Sequence, residues 1–277
     1  MRVAVVFVCL VDVACSSGKS PKTAPTSSAS AGPRYFGVEH YSGDPNGSGL
    51  CGEYSLIWKS PDISEGGAPA TLTAISGRDI ALDLEGRDEI EQLIASWCAD
   101  VDSDGRIELG TERFSGGAHC CWSMRVDTLE GPTLLDRDLG NYGGLEPDDV
   151  DNGGALELSG RSDVLAYFGD VPYAASPSLP LVLALRDGRY VEATDDFPRH
   201  VRKSLKEAEA DLREALANGD ELAIKGTALG VYGHHVLLRD EESALDDLAG
   251  AVPDDVAQWL RDHAEAAVAL IRGERTK

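Results

Sequence analysis

From Tyr35 to about Thr194 the chain alternates short apolar and polar runs, broken by Gly, Pro, Asp and Ser, a pattern that predicts β-strands. Thr71-Leu72-Thr73-Ala74-Ile75, the turn Ser76-Gly77-Arg78-Asp79, and then Ile80, Leu82 and Leu84 at spacing two predict a hairpin with one buried face. Trp122, Met124 and Val126 repeat the alternation, as do Leu181, Leu183 and Leu185 before Asp187-Gly188. One stretch breaks the pattern: Ile90, Leu93, Ile94 and Trp97 stand at helical spacing and predict a short helix.

After Phe197-Pro198 the period changes to that of helices, and four are expected. Val201, Leu205, Ala208, Leu212 and Ala215 form one stripe that ends at Asn218-Gly219, a pair suited to a left-handed helix end. Asp220 is placed to cap a second helix running to about Leu238, and Asp240 a third through Leu248. Pro253-Asp254 opens a last helix with Val256, Trp259, Leu260, Ala267 and Ile271 on its buried side. Short connections imply antiparallel packing, and Gly226, Gly230 and Gly233 imply a neighbour that approaches the second helix closely. The expected class is α+β, with a β-rich domain at 35–197 and a small α-helical domain at 198–277.

The N-terminus carries a different signal. Met1-Arg2 leads into the apolar run Val3–Val11, too short to span a bilayer and suited to a signal peptide over residues 1–14. Ala14-Cys15-Ser16 resembles a bacterial lipobox, although Asp12 occupies the place usually held by Leu. Lipidation at Cys15 is therefore expected. Residues 15–34, rich in Ser, Pro, Thr and Ala, form the tether, and the chain is placed on the extracytoplasmic side of the cell envelope, with plain secretion as the alternative.

Charge narrows the partners. With 48 acidic against 25 basic residues the net charge is -23, concentrated in residues 35–197, which repels phosphate backbones and excludes nucleic acid. Bound divalent cations would relieve such a field. In an oxidising compartment Cys51, Cys98, Cys120 and Cys121 are expected to form two disulfides. A vicinal bridge strains the intervening peptide, so each of Cys120 and Cys121 is expected to join one of Cys51 and Cys98, with the assignment open. His119 beside Cys120 and Cys121 is read as structural, because three consecutive residues converge poorly on one tetrahedral metal. His234 and His235, adjacent on a helix, point apart and are read as packing and surface residues.

The most specific motif is Asp100-Val101-Asp102-Ser103-Asp104-Gly105-Arg106-Ile107-Glu108-Leu109. Carboxylates at positions one, three and five, a turn-making Gly at six, the Arg106 carbonyl at seven and an acid at nine make a calcium loop of hard oxygen ligands. Thr111 at position twelve excludes an EF-hand. A weaker echo, Asp149-Val150-Asp151-Asn152-Gly153-Gly154-Ala155-Leu156-Glu157, keeps Asp149, Asp151 and Glu157 but has Gly153 at position five. These loops resemble those of FG-GAP and VCBS-type repeat proteins, and Gly116-Gly117-Ala118-His119-Cys120-Cys121 resembles a segment that follows such a loop in a group of bacterial secreted proteins. Over residues 95–195 the resemblance implies propeller-blade-like hairpins and calcium as the bound ion, with too little chain to close a propeller.

No Gly-x-Ser-x-Gly, His-Glu-x-x-His, Gly-x-x-x-x-Gly-Lys or Gly-x-Gly-x-x-Gly occurs, and Ser16-Ser17-Gly18-Lys19 lies in the tether. The expectation is a calcium-stabilised binding or structural lipoprotein, with a membrane contact through its anchor and a protein or glycan partner. The alternatives are an envelope hydrolase using acids near the metal and an adaptor that docks protein through its helices.

Overall fold

A computed structural model describes residues 32–35, 46–64, 67–116 and 121–273. Cys15, His119, Cys120, the signal peptide and most of the tether lie outside the described residues. Among the described residues the architecture is mixed α and antiparallel β, with three sheets followed by four α-helices.

The first sheet is a four-stranded meander, β2 (Gly47–Cys51), β3 (Tyr54–Lys59), β4 (Thr71–Ser76) and β5 (Asp79–Glu85), with β1 (Arg34–Tyr35) belonging elsewhere. The predicted 71–84 hairpin is here, closed by Ser76 opposite Asp79. A bulge opposite Ala74 and Ile75 reverses the facing of Ile80, which is exposed, while Leu72, Ala74 and Leu84 are buried. The central sheet orders β1 beside β6 (Gln92–Ala99), β7 (Glu108–Phe114), β8 (Trp122–Thr128) and β9 (Thr133–Gly140). A third sheet follows with β10 (Glu146–Asp148), β11 (Glu157–Ser162), β12 (Leu179–Arg186) and β13 (Arg189–Glu192).

The helix expected around 90–97 is instead β6, in the middle of the stack. Leu93, Ala95 and Cys98 face the first sheet's core, whereas Trp97 and Ala99 face the core shared with the third sheet. A bulge between Ala95 and Trp97 shifts the alternation by one residue. A strand buried on both faces with a mid-strand phase shift presents apolar residues at spacings that imitate a helix. The Trp97 indole N–H donates to the Leu145 carbonyl at 2.7 Å and ties the central sheet to the third.

The helices run as α1 (Pro198–Asn218), α2 (Glu221–Leu238), α3 (Glu241–Ala251) and α4 (Asp254–Gly273). Gly219 ends α1 with φ 70, and the Asp220 carboxylate accepts from the Ala223 amide at 3.1 Å to cap α2. Asp240 stands at the start of α3 but makes no side-chain cap, because its carboxylate pairs with His235 at 2.9 Å. On α2, a Cβ at Gly226 would lie 1.9 Å from the Ala175 carbonyl oxygen, and one at Gly230 would lie 2.9 Å from Pro177. The segment leading into β12 therefore rests directly on α2. The helical core takes Leu165, Val171 and Leu179 from the β region.

Candidate metal centre

Two hairpins, β6–β7 and β10–β11, are closed by loops built alike. In each, the last residue of the first strand pairs with an acid that opens the second, Ala99 with Glu108 and Asp148 with Glu157. Between them the chain turns through a left-handed residue and a glycine at φ 87: Ser103 (φ 60) and Gly105 in the first loop, Asn152 (φ 63) and Gly154 in the second. Such a glycine conformation is strained for any residue carrying a Cβ.

Hydrogen bonds repeat with the same offsets. The Gly105 amide donates to Asp100 Oδ2 at 3.1 Å, and the Gly154 amide to Asp149 Oδ2 at 3.1 Å. Asp102 Oδ1 accepts from the Asp104 amide at 3.0 Å, and Asp151 Oδ1 from the Gly153 amide at 2.7 Å. The Val101 amide donates to Glu108 Oε2 at 3.0 Å, and the Val150 amide to Glu157 Oε2 at 3.1 Å. The loops also touch: the Leu156 amide donates to the Val101 carbonyl at 3.4 Å, and Tyr190 donates to the Leu156 carbonyl at 3.3 Å.

This scaffold gathers two acidic groups that can each hold a metal ion. Asp100, Asp102 and Glu108 each bring a carboxylate oxygen within 4.8 Å of the others, and so do Asp149, Asp151 and Glu157. Asp104 stands outside the first group; its Oδ1 accepts from the Arg106 amide at 2.7 Å and its Oδ2 lies 3.8 Å from the Arg106 guanidinium. Position five is therefore not part of the convergent set in either loop, so Gly153 removes nothing from the second.

The first group is electrostatically incomplete. Glu108 is fully buried, and its Oε1, like Asp100 Oδ1, has no hydrogen-bond partner. A buried carboxylate oxygen without a donor costs folding free energy unless something positive faces it. Burial pushes the Glu108 carboxyl up to about 7, and the charges of Asp102 and Asp104 add to the rise while the Val101 N–H and the Thr128 hydroxyl oppose it. Glu157 is raised too, first by burial and then, against the Val150 N–H, by Asp151 and Asp149. Tyr190 lies beside both groups, raised by burial and then by the charges of Glu108, Asp102 and Glu157.

The cysteines depart from expectation. Cys51 and Cys98 are free, buried thiols that hydrogen-bond to each other, which pushes Cys51 up and Cys98 down. Neither is bridged to Cys121, and both sit in the core between the first and central sheets. Cys121 is in a disulfide whose partner lies outside the described residues.

One arrangement escaped the sequence. His234, read as packing, is 2% exposed, with Nδ1 2.7 Å from the Gly230 carbonyl and Nε2 2.9 Å from Ser204 Oγ. A carbonyl only accepts, so Nδ1 carries the proton and the Ser204 hydroxyl donates to Nε2. The pair borders a cavity of about 450 Å³, lined also by His200, Glu207 and Arg161, and His234 alone of the two also reaches an adjoining cavity of about 510 Å³. Ser204 and His234 belong to different helices, and no local motif joins them.

Among the described residues no helix is long and apolar enough to cross a membrane. In comparisons with known proteins, no family model, no curated protein and no solved structure matches the chain.

Proposed function

We propose that the chain is a calcium-stabilised binding or structural module of the bacterial cell envelope, tethered by lipid at Cys15. The observation that carries the metal part is the pair of buried, unpartnered oxygens, Glu108 Oε1 and Asp100 Oδ1, at a point where Asp102 also converges. Oxygen-only donors at the start of a hairpin suit calcium, a hard cation that tolerates irregular shells of six to eight ligands. Asp149, Asp151 and Glu157 form the second site of the same kind. Calcium at both offsets part of the -23 charge and holds two hairpins whose strands face one core. The blade-like reading of these hairpins belongs to the same proposal, supported by their shared register and loop geometry.

Thermal unfolding of the full chain in chelator and in calcium tests this. At roughly 100 times the dissociation constant a ligand bound only to the folded state contributes about 2.7 kcal/mol. Melting temperature should rise with calcium concentration and much less with magnesium, whose small octahedral shell fits this loop poorly. A melting curve unmoved between chelator and several millimolar calcium leaves the loops as acidic turns.

The Ser204–His234 hydrogen bond favours a second reading, a hydrolase, with the chemistry in the helical cavity rather than near the metal. A hydroxyl donating to an oriented neutral imidazole is the arrangement of a serine nucleophile with its base. Covalent labelling by a fluorophosphonate that disappears in Ser204→Ala is the expected result; an unlabelled wild-type chain removes this reading. The adaptor reading would use the helical surface, where Leu222 and Leu270 are the large apolar side chains left exposed among the described residues.

A further inference from the structure

Cys51 ends β2 at the turn into β3, and Cys98 is the penultimate residue of β6, so the two come from different sheets and are far apart in sequence. Their side chains are buried in one cluster with Leu56, Leu72 and Leu109, and the thiols hydrogen-bond to each other. The Gly52 amide donates to the Cys98 sulfur. The only other described cysteine, Cys121, is already in a disulfide. Two thiols in contact inside a core, with no other described thiol to compete, are each other's partner for oxidation.

The pair also stands next to the first acidic loop. Asp100 follows Cys98 by two residues, and Gly52, which follows Cys51, rests on Ile107 at the far end of that loop, where a Cβ at Gly52 would be 3.2 Å from Ile107 Cγ1. Glu53 and Tyr54 share a cavity of about 430 Å³ with Gly105, Arg106 and Ile107. The tip of the β2–β3 hairpin thus buttresses the loop that gathers Asp100, Asp102 and Glu108.

We infer that Cys51 and Cys98 are a disulfide site, a cross-link that staples the first hairpin to the strand entering the acidic loop. The bond forms by thiol–disulfide exchange with a disulfide oxidant, either a small molecule or an exchange protein. Two S–H bonds and the oxidant's S–S bond break; one Cys51–Cys98 bond and two oxidant thiols form. The cysteines lose two electrons to the oxidant, whose sulfurs take up both protons. Because the two thiols already share one core cluster and are hydrogen-bonded neighbours there, closure requires no change in strand pairing. The cross-link closes the chain from residue 51 to residue 98, and it stands on the two thiols alone, whatever ion the loop holds.

The test uses the full chain, purified reduced and then equilibrated with oxidised glutathione while folded. Remaining thiols are alkylated, and the chain is digested without reduction for mass analysis. A linked peptide pair carrying Cys51 and Cys98 is expected, absent from Cys98→Ser, together with a rise in melting temperature of roughly 5–15 °C on oxidation. Full alkylation of both cysteines after oxidation overturns the inference. So does either one ending in a bridge to another cysteine or as a glutathione adduct. If Cys98→Ser fails to fold, the map of the wild-type chain decides alone. A Cys51–Cys98 bridge in a chain that ignores calcium supports the cross-link and sinks the calcium reading, so the two proposals fail separately.

Discussion

Replacing Glu108 by Gln should make the chain more stable than the wild type in chelator and less stable than it in calcium. In the empty site the carboxyl is raised from 4.5 to about 7, so its ionised form costs the folded state about 3 kcal/mol at neutral pH. A raised acid contributes most below its unfolded value: stability is fully present below 4.5 and is lost as pH rises through about 7. Gln keeps the shape and an acceptor for the Val101 amide but carries no charge. The Val101 bond is already contained in that raised value, but the Gln amide buries a donor where Oε1 finds no partner, at a cost of about 1 kcal/mol, which leaves a net gain of about 2 kcal/mol for the empty variant. For a chain of this size that is a rise of roughly 4–8 °C in chelator. With calcium the balance is expected to invert, since on the proposed reading the wild-type loop would gain about 2.7 kcal/mol at 100 times its dissociation constant and the variant lacks the ligand. Differential scanning calorimetry of both proteins in chelator and in calcium gives the four melting temperatures. The reasoning is refuted if Glu108→Gln melts below the wild type in chelator, or if it keeps the full calcium response.

Asp102→Ala and Asp151→Ala should each remove about one of two bound calcium ions by calorimetric titration, since the loops offer the same three carboxylates; an unchanged stoichiometry in Asp151→Ala dismisses the second site. Gly226→Ala forces a Cβ to 1.9 Å from the Ala175 carbonyl oxygen and should destabilise by about 3 kcal/mol, read as a lowered urea midpoint; an unmoved midpoint denies the close approach. Burial lowers the native pKa of His234, so its contribution is present above about 6.5 and is lost as pH falls through the lowered value. His234→Gln should flatten stability against pH below that point, and an identical acid limb would place the dependence elsewhere. Cys15→Ser should move the protein from the detergent to the aqueous phase; a mature chain that begins elsewhere without lipid ends the anchor reading.

The helices were legible because their information is local. The stripe Val201, Leu205, Ala208, Leu212 and Ala215 and the stop at Gly219 can be read within one turn of where they act. Strand β6 was not, because its identity depends on two cores packed on opposite faces and on a bulge between Ala95 and Trp97, none of which a short window reports. Asp240 shows the same limit at smaller scale. It stands at a capping position, yet His235, one turn back on α2, takes its carboxylate. The Cys51–Cys98 and Ser204–His234 contacts are purely tertiary, and adjacency of Cys120 to Cys121, or of His234 to His235, said nothing about them.

The acidic loops divide along the same line. The spacing of Asp100, Asp102 and Glu108 is local and carried the candidate site, but which acids converge is settled by where the main chain spends its amides. Asp100 and Asp102 each accept one amide and remain in the gathered set, whereas Asp104 takes the Arg106 amide and faces the guanidinium of the same residue. In the second loop Asp149, Asp151 and Glu157 keep those same amide partners at the same offsets, and the position of Asp104 is simply filled by Gly153. Equivalence between the loops therefore lies in backbone hydrogen bonds, to which each sequence conforms in its own way. The difference lies in burial: Glu108 has a buried oxygen without a donor, and nothing comparable is found at Glu157 among the described residues. An ion entering the first loop would relieve a larger penalty than one entering the second, so the first is expected to be the tighter of the two, read as a lower dissociation constant for Asp151→Ala than for Asp102→Ala in calorimetric titration; equal constants for the two variants deny that burial sets the order.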